Sequence, residues 1–189
     1  MSASISDICN QALIRLNGNL IAGFDDGTKE SIVCRAAWDF CRRALLRSHI
    51  WNFAEKQVRL GAAIVPSPTF EWSYAFQLPA DCLRVVKLYQ ESSPWVVTGR
   101  TILTNDASVS LYYISDITDP TQFDPSFADA LAAKLAIAIS GSINADITLM
   151  PQLKAEFDNA WKIAKQYDAQ EDAPMEWIAS NFTDQHENT

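Results

Sequence analysis

The chain has 189 residues, of which 48% are hydrophobic and 20% charged, a composition typical of a folded globular domain rather than a disordered or fibrous chain. Its formal net charge of -8 argues against a protein that binds nucleic acid over most of its surface, because such proteins carry an excess of Lys and Arg. No apolar run approaches the length of a membrane span and no basic-then-apolar leader opens the chain. We therefore expect a soluble protein that is not secreted.

The charge is divided unevenly along the chain. Residues 1–104 hold eleven Lys and Arg against nine Asp and Glu, a balance of +2. Residues 105–189 hold four against fourteen, a balance of -10. Solvation of the surface is the simplest explanation of this excess of carboxylates.

Two amphipathic helices are predicted in the first fifty residues. Ser4 and Asp7 have the spacing of a capping box, and apolar residues at helical spacing follow until Asn17 and Gly18 end the first helix. A second start signal at residues 25–28 precedes a long helix, which we expect to be the central one. Its spacing predicts an inward face of Val33, Ala37, Phe40, Cys41, Ala44 and Leu45, and an outward face of Arg35, Asp39, Arg42 and Arg43.

The middle of the chain has the pattern of short strands. Residues 70–78 alternate between bulky apolar and smaller or polar side chains, the period of a half-buried strand. Their aromatic row resembles a stacking platform for bases or sugars, but the core face of a strand is the simpler interpretation. Further stretches rich in Val, Ile and Tyr predict strands at residues 84–90, 95–98, 101–104 and 109–114.

Helical signals return in the last third of the chain. Asp124 is suited to cap a third helix, with Pro125 at the first helical position, where its missing N–H costs nothing. A fourth amphipathic helix is predicted from about residue 146 to residue 171, with Pro151 near its start.

These elements predict an α+β fold. Residues 1–50 and 116–171 are expected to form a four-helix bundle. Residues 51–115 are expected to form a small antiparallel β-sheet, inserted between the second and third helices and projecting from one end of the bundle. Residues 172–189 are expected to be a flexible, extended C-terminal tail, because their polar, acidic sequence cannot make a core of its own.

Residues suited to catalysis are sparse. The two histidines, His49 and His186, have no Cys or His partner at the spacing of metal ligands, and there is no Gly-rich phosphate loop. We expect no enzyme, no metal and no cofactor, and free buried thiols at Cys9, Cys34, Cys41 and Cys82. The enzymatic alternative is hydrolysis of a polysaccharide by a carboxylate pair from Asp116, Asp119 and Asp124, although turns and a helix cap explain these residues more simply.

Two groups of residues are candidate contacts with partners. Arg42, Arg43 and Arg47 gather near the C-terminal end of the second helix, where they either complement the helix dipole or form a patch for an acidic neighbour. Trp177 and Phe182 are isolated aromatic residues in the acidic tail, where they either anchor the chain on a partner subunit or fold back onto the bundle.

A succession of short sequence features extends over residues 5–170. Its parts are the opening helix at 8–13, W-x-F-A at 51–54, Y-A-F-Q-L-P-A-D-C-L-R at 74–84, G-R-T-I-L at 99–103, and Y-I followed by D-P and a Phe-led helix at 111–136. In this order of features the chain resembles the head-to-tail adaptors of short-tailed bacteriophages, the family often called tail tubular protein A.

The resemblance implies a structural protein of the virion neck or tail, made and assembled in the host cytoplasm, with no membrane partner. Such adaptors form a ring, typically dodecameric, that joins the portal protein to the tail nozzle protein and extends the channel through which the genomic DNA leaves. The acidic residues of 105–189 would then give a negative lumen in which DNA slides without binding. The alternatives are a virion-associated polysaccharide or cell-wall hydrolase and a small cytosolic binding module with a pocket near the aromatic strand.

Overall fold

The computed structural model describes residues 3–61, 63–64, 70–89, 94–143 and 147–171. Within these ranges the α-helices are α1 (Ile5–Arg15), α2 (Lys29–Ser48), α3 (Pro125–Ile139) and α4 (Met150–Glu171). The strands are β1 (Glu55–Arg59), β2 (Tyr74–Gln77), β3 (Cys82–Leu88), β4 (Trp95–Thr98), β5 (Thr101–Thr104) and β6 (Ser110–Ser115). The four helices and the mixed α+β content agree with the prediction. None of these helices is long and apolar enough to cross a membrane.

The helix starts follow the capping signals in the sequence. The Ser4 hydroxyl accepts from the Asp7 N–H while the Asp7 carboxylate accepts from the Ser4 N–H, which completes the capping box of α1. Thr28 caps α2 by accepting from the Ser31 N–H, and Asp124 caps α3. Each cap accepts from N–H groups that have no partner within the helix.

The prediction of a single inserted sheet is wrong, because the strands form two separate three-stranded antiparallel sheets. One has the order β1-β6-β3 and the other β2-β5-β4. The change of partner occurs between β2 and β3, where Pro79 cannot donate to a ladder and the chain turns. After the turn, β3 pairs with β6 instead of extending the sheet that contains β2.

The β1-β6-β3 sheet packs against the helices through α2. Side chains from the β1-β6-β3 sheet and its ends, such as Ala54, Ile114 and Ile117, belong to the same core as the helices. A second core, which includes Phe76, Ile102 and residues of β3 and β6, lies between the two sheets. The β1-β6-β3 sheet is therefore a middle layer, with the helices on one side and the β2-β5-β4 sheet on the other.

The central helix is α3 rather than α2. It packs against α1, α2 and α4, and it is buried on nearly every side. Its alanines allow this, because small side chains let three neighbouring helices approach closely. The buried residues of α3 are Phe127, Ala128, Ala130, Leu131, Ala132, Ala133, Leu135, Ala136 and Ile139.

The predicted inward face of α2 is rotated in the structure. Phe40, expected inside, is 76% exposed, whereas Arg42, expected outside, is 2% exposed. Trp38 takes the inward position and meets the ring of Phe24 edge-on, with the two centroids 6.0 Å apart. The buried residues of α2 are Ser31, Cys34, Trp38, Cys41, Arg42, Leu45 and Leu46. All four cysteines of the chain are buried free thiols, as predicted.

An aromatic cluster around Trp51 joins the end of α2 to α3 and α4. The Trp51 ring is fully buried and meets the rings of Phe127 and Trp161 edge-on, at centroid distances of 5.0 and 5.3 Å. Its Nε1–H donates to the Leu45 carbonyl at 3.1 Å, so its only polar atom is satisfied. The cluster therefore stabilises three helices at once.

Replacing Trp51 by Ala should lower the free energy of unfolding by about 3–5 kcal/mol, because it leaves a large cavity in this cluster. Phe40→Ala is the control: it removes an aromatic ring of 76% exposure and should change stability by no more than about 0.5 kcal/mol. Urea unfolding of the two variants measures both values. Similar losses for the two would contradict the arrangement of α2.

Asp81 lies in the turn between β2 and β3 and connects this turn to the β1-β6-β3 sheet. Its carboxylate accepts from Lys56 Nζ at 2.9 Å and from the Tyr113 hydroxyl at 3.1 Å. Burial raises the pKa of Asp81, but the hydrogen bonds from Lys56 and Tyr113 and the charge of Lys56 outweigh it, so the pKa is lowered overall. Burial and the hydrogen bond to Asp81 raise the pKa of Tyr113 to about 12.

These shifts predict opposite effects at the two ends of the pH range. The lowered pKa of Asp81 stabilises the fold above the unfolded value of about 3.9, and this stabilisation is lost as the pH falls through the folded pKa. The raised pKa of Tyr113 stabilises the fold below the unfolded value of about 10 and is lost as the pH rises toward about 12. Urea unfolding across pH should show the acid loss reduced in Asp81→Asn and the alkaline loss reduced in Tyr113→Phe. Curves parallel to the wild type would refute both assignments.

Candidate functional site

A groove lined by arginines runs between the solvent side of α2, strand β3 and the β4–β5 hairpin. It consists of two adjoining cavities of about 610 and 530 Å³ that share Arg47, Cys82, Leu83 and Arg100. We call it the arginine groove. Its lining residues are Asp39, Phe40, Arg43, Ala44, Arg47, Leu78, Cys82, Leu83, Arg84, Val85, Trp95, Val96, Val97, Gly99 and Arg100.

Two arginines of the groove, Arg47 and Arg100, are held by main-chain oxygens, whereas Arg43 is paired with the Asp116 carboxylate. The guanidinium of Arg100 donates to the carbonyls of Pro79, Ala80 and Cys82, across the turn before β3. The guanidinium of Arg47 donates to the Leu83 carbonyl and so ties α2 to β3. These bonds fix both side chains and leave their charge in place.

The groove has an excess of positive charge. In the described part of the chain, no carboxylate lies within 4 Å of Arg47, Arg84 or Arg100. Burial raises the pKa of the Cys82 thiol, and the charges of Arg100 and Arg47, which act to lower it, are opposed by the charge of Asp81, so the pKa is raised overall. Such a site attracts an acidic group and repels a basic one.

An exposed apolar stripe of α2 leads into the groove. Ile32 and Phe40 are 51% and 76% exposed, and Ala36 lies between them on the same side of the helix. The same side continues with Arg43 and Arg47, because residues three and four apart lie on one face of a helix. We call Ile32, Ala36, Phe40, Arg43 and Arg47 the outer stripe of α2. Exposed apolar residues in a row on one helix face are typical of an interaction surface.

Arg42 does not belong to the patch that the sequence predicts. Its side chain is 3% exposed, and one guanidinium nitrogen donates to Asp116 at 2.5 Å and to the Ile117 carbonyl. The other terminal nitrogen reaches Asp39 at 3.0 Å. Arg42 is therefore a structural link between α2 and the segment after β6, and it is not available to a partner. Arg43 and Arg47 remain exposed, and their role in binding stays a prediction.

The three carboxylates of the hydrolase alternative all have structural roles. Asp116 is bound by Arg42 and by Arg43 Nε, the latter at 3.1 Å. Asp119 accepts from the Thr121 N–H and hydroxyl, which lower its pKa, and it caps a short 3-10 helix. Asp124 caps α3. This arrangement gives no support to a pair of catalytic carboxylates. In the described ranges, no group of three or more His, Cys, Asp or Glu side chains is placed to hold a metal ion.

His49 and Asp168 anchor the end of α4. His49 Nε2 lies 3.1 Å from Asp168 Oδ2, and Asp168 also accepts from the Asn52 N–H at 2.9 Å. The Asn52 side chain in turn donates to the Asp168 carbonyl at 2.8 Å. The His49 ring meets Trp51 edge-on. The pair therefore fixes α4 beside the segment that follows α2.

Several sequence predictions lie outside the described residues. Trp177 and Phe182, the candidate anchors, are in residues 172–189, as is His186. The patch of arginines predicted from the sequence does not include Arg84 and Arg100. Both lie in the sequence features that carry the resemblance to the adaptors, but neither is near α2 in sequence.

No protein-family model matches the chain, and no curated protein matches it. The resemblance to the phage adaptors therefore stays a prediction from the sequence.

Arg42→Met should lower the free energy of unfolding by at least about 2 kcal/mol, because it leaves the Ile117 carbonyl and part of the Asp116 carboxylate without a donor. Arg43→Met is the matched control, with the same loss of charge on the same helix. Its side chain is 56% exposed, so we expect a loss below about 1 kcal/mol. Equal losses in urea unfolding would show that Arg42 is not the main link.

Proposed function

We propose that this protein is a structural adaptor of the neck or tail of a short-tailed bacteriophage. In this proposal it forms a closed ring of identical subunits, which joins the portal protein to the tail nozzle protein and surrounds the path of the DNA. The resemblance of residues 5–170 to such adaptors supports the proposal. Its function would be to hold these proteins together through protein–protein contacts.

The observation that carries the proposal is the outer stripe of α2. Ile32 and Phe40 expose apolar surface on a helix that is otherwise well packed into the fold. Beside them Arg43 and Arg47 provide hydrogen-bond donors at the edge, and apolar residues bordered by Arg are characteristic of interfaces. A ring needs a surface of this kind that meets a different surface on the next copy.

Ion pairs within the fold account for part of the uneven distribution of charge along the chain. Several ion pairs join the basic half of the chain to the acidic half, among them Arg15 with Asp129 and Arg42 with Asp116. These carboxylates compensate cations within the fold. A negative lumen, which is part of the proposal, would therefore depend on the remaining acidic residues of 105–189, and not on the whole excess of -10.

The outer stripe gives a direct experiment. The double variant Ile32→Glu/Phe40→Glu places charge on the stripe without changing a buried residue. In sedimentation velocity with the portal from the same genome, the wild type should leave the 21.0 kDa monomer position for a much larger complex, and the double variant should stay behind. The control is Leu20→Glu, which changes another exposed apolar residue, 59% exposed, outside the stripe. It should assemble as the wild type does.

The outcome depends on both comparisons. A wild type that remains monomeric with and without the portal would contradict the adaptor proposal. If the double variant assembles as well as the Leu20→Glu control does, the outer stripe is not the contact surface. This result would not contradict the adaptor role itself.

A further inference from the structure

We propose that the arginine groove is the docking site for residues 172–189 of the same chain. This inference concerns an acidic segment and a basic groove of one subunit, and it does not rest on the adaptor function. It assigns an occupant to a surface that the described residues leave open.

The groove offers both charge and apolar surface to an occupant. In the described ranges no carboxylate lies within 4 Å of Arg47, Arg84 or Arg100. Main-chain carbonyls orient the side chains of Arg47 and Arg100. Val96 and Val97 of β4, each 39% exposed, form an apolar wall of the second cavity. A fitting ligand is therefore an acidic peptide that also carries large apolar side chains.

The sequence of residues 172–189 has this composition. It contains no Lys or Arg, and its acidic residues alternate with apolar ones. The acidic residues are Asp172, Glu176, Asp184 and Glu187, and the large apolar residues are Met175, Trp177, Ile178 and Phe182. Carboxylates would meet the guanidinium groups of the groove while an aromatic ring covers the exposed residues of β4.

The position of α4 favours the chain's own segment over that of a second copy. Asp168, three residues before the end of α4, is fixed to His49 and Asn52, and Arg47 lies only two residues before His49. The eighteen residues 172–189 span up to roughly 60 Å when extended, whereas the part of α2 that lines the groove is only about 10 Å long. A short tether of this kind gives an effective concentration on the order of millimolar.

Hydrogen exchange of the full chain tests this docking. Backbone amides in part of 172–189 should exchange about tenfold more slowly than in a synthetic peptide of the same sequence, a ratio that corresponds to a mostly docked segment. Arg84→Glu and Val97→Ser, which change the charge and the apolar wall of the groove separately, should each remove most of this protection. Raising the salt concentration should reduce it as well, because exposed charges are screened.

Matched controls separate docking from a general loss of fold. Arg59→Glu makes the same change of charge on β1, in a different surface depression, and Leu20→Ser removes an exposed apolar side chain away from the groove. Both should keep the protection of the wild type. Unchanged exchange in α1 and α3 shows that each variant is folded.

Three results would overturn the proposal. The first is wild-type exchange in 172–189 as fast as in the free peptide. The second is protection that the groove variants keep as fully as the controls do. The third is protection that rises with protein concentration, which would assign the groove to the segment of a second copy. Sedimentation with the portal is independent of all three, so the adaptor proposal can fail while this one holds.

Discussion

The buried guanidinium of Arg42 is the interaction on which the arrangement of the layers depends. Taking a cation out of water carries a penalty of several kcal/mol, so its place in the core requires that its donors find acceptors. Asp116, the Ile117 carbonyl and Asp39 supply them. Because Asp116 and Ile117 follow directly after β6 and precede α3, this one side chain fixes α2 against both the middle sheet and the path to the central helix.

The same constraint shapes the candidate site. With Arg42 turned inward, the rotation of α2 places Phe40, Arg43 and Arg47 on the solvent side. Arg47 then reaches the Leu83 carbonyl of β3, which closes one wall of the groove. An exposed aromatic residue in the middle of a helix is thus a consequence of a buried arginine two positions later. A surface that a partner or an acidic segment could use arises from the packing of the core.

Local sequence signals predicted where the helices begin. Contacts between residues far apart in the sequence decided which face of α2 is buried and how the strands pair. Ser4, Thr28 and Asp124 cap helices by bonds to residues two or three positions on, so their roles can be inferred from a short window. The inward face of α2 could not be, because periodicity places a Phe inside and an Arg outside. The carboxylate that reverses this for Arg42 is 74 residues away. The division into two sheets likewise depends on which distant strand β3 meets.

The residues of the arginine groove could likewise be predicted from the sequence only in part. Arg43 and Arg47 were predicted as a patch because they are neighbours on one helix, and the fold adds Arg84 from β3 and Arg100 from the β4–β5 turn. No sequence window contains all four. Arg42 was included for its position and is excluded by its burial. The resemblance to phage adaptors rests on an order of features, which the fold accommodates without identifying a partner.

The most direct measurement of the central claim is electron microscopy of the purified protein, alone and mixed with the portal of the same genome. The account predicts a ring stacked coaxially on the portal, with the outer stripe of α2 at a subunit boundary. A protein that remains a single 21.0 kDa particle and leaves the portal bare would contradict it.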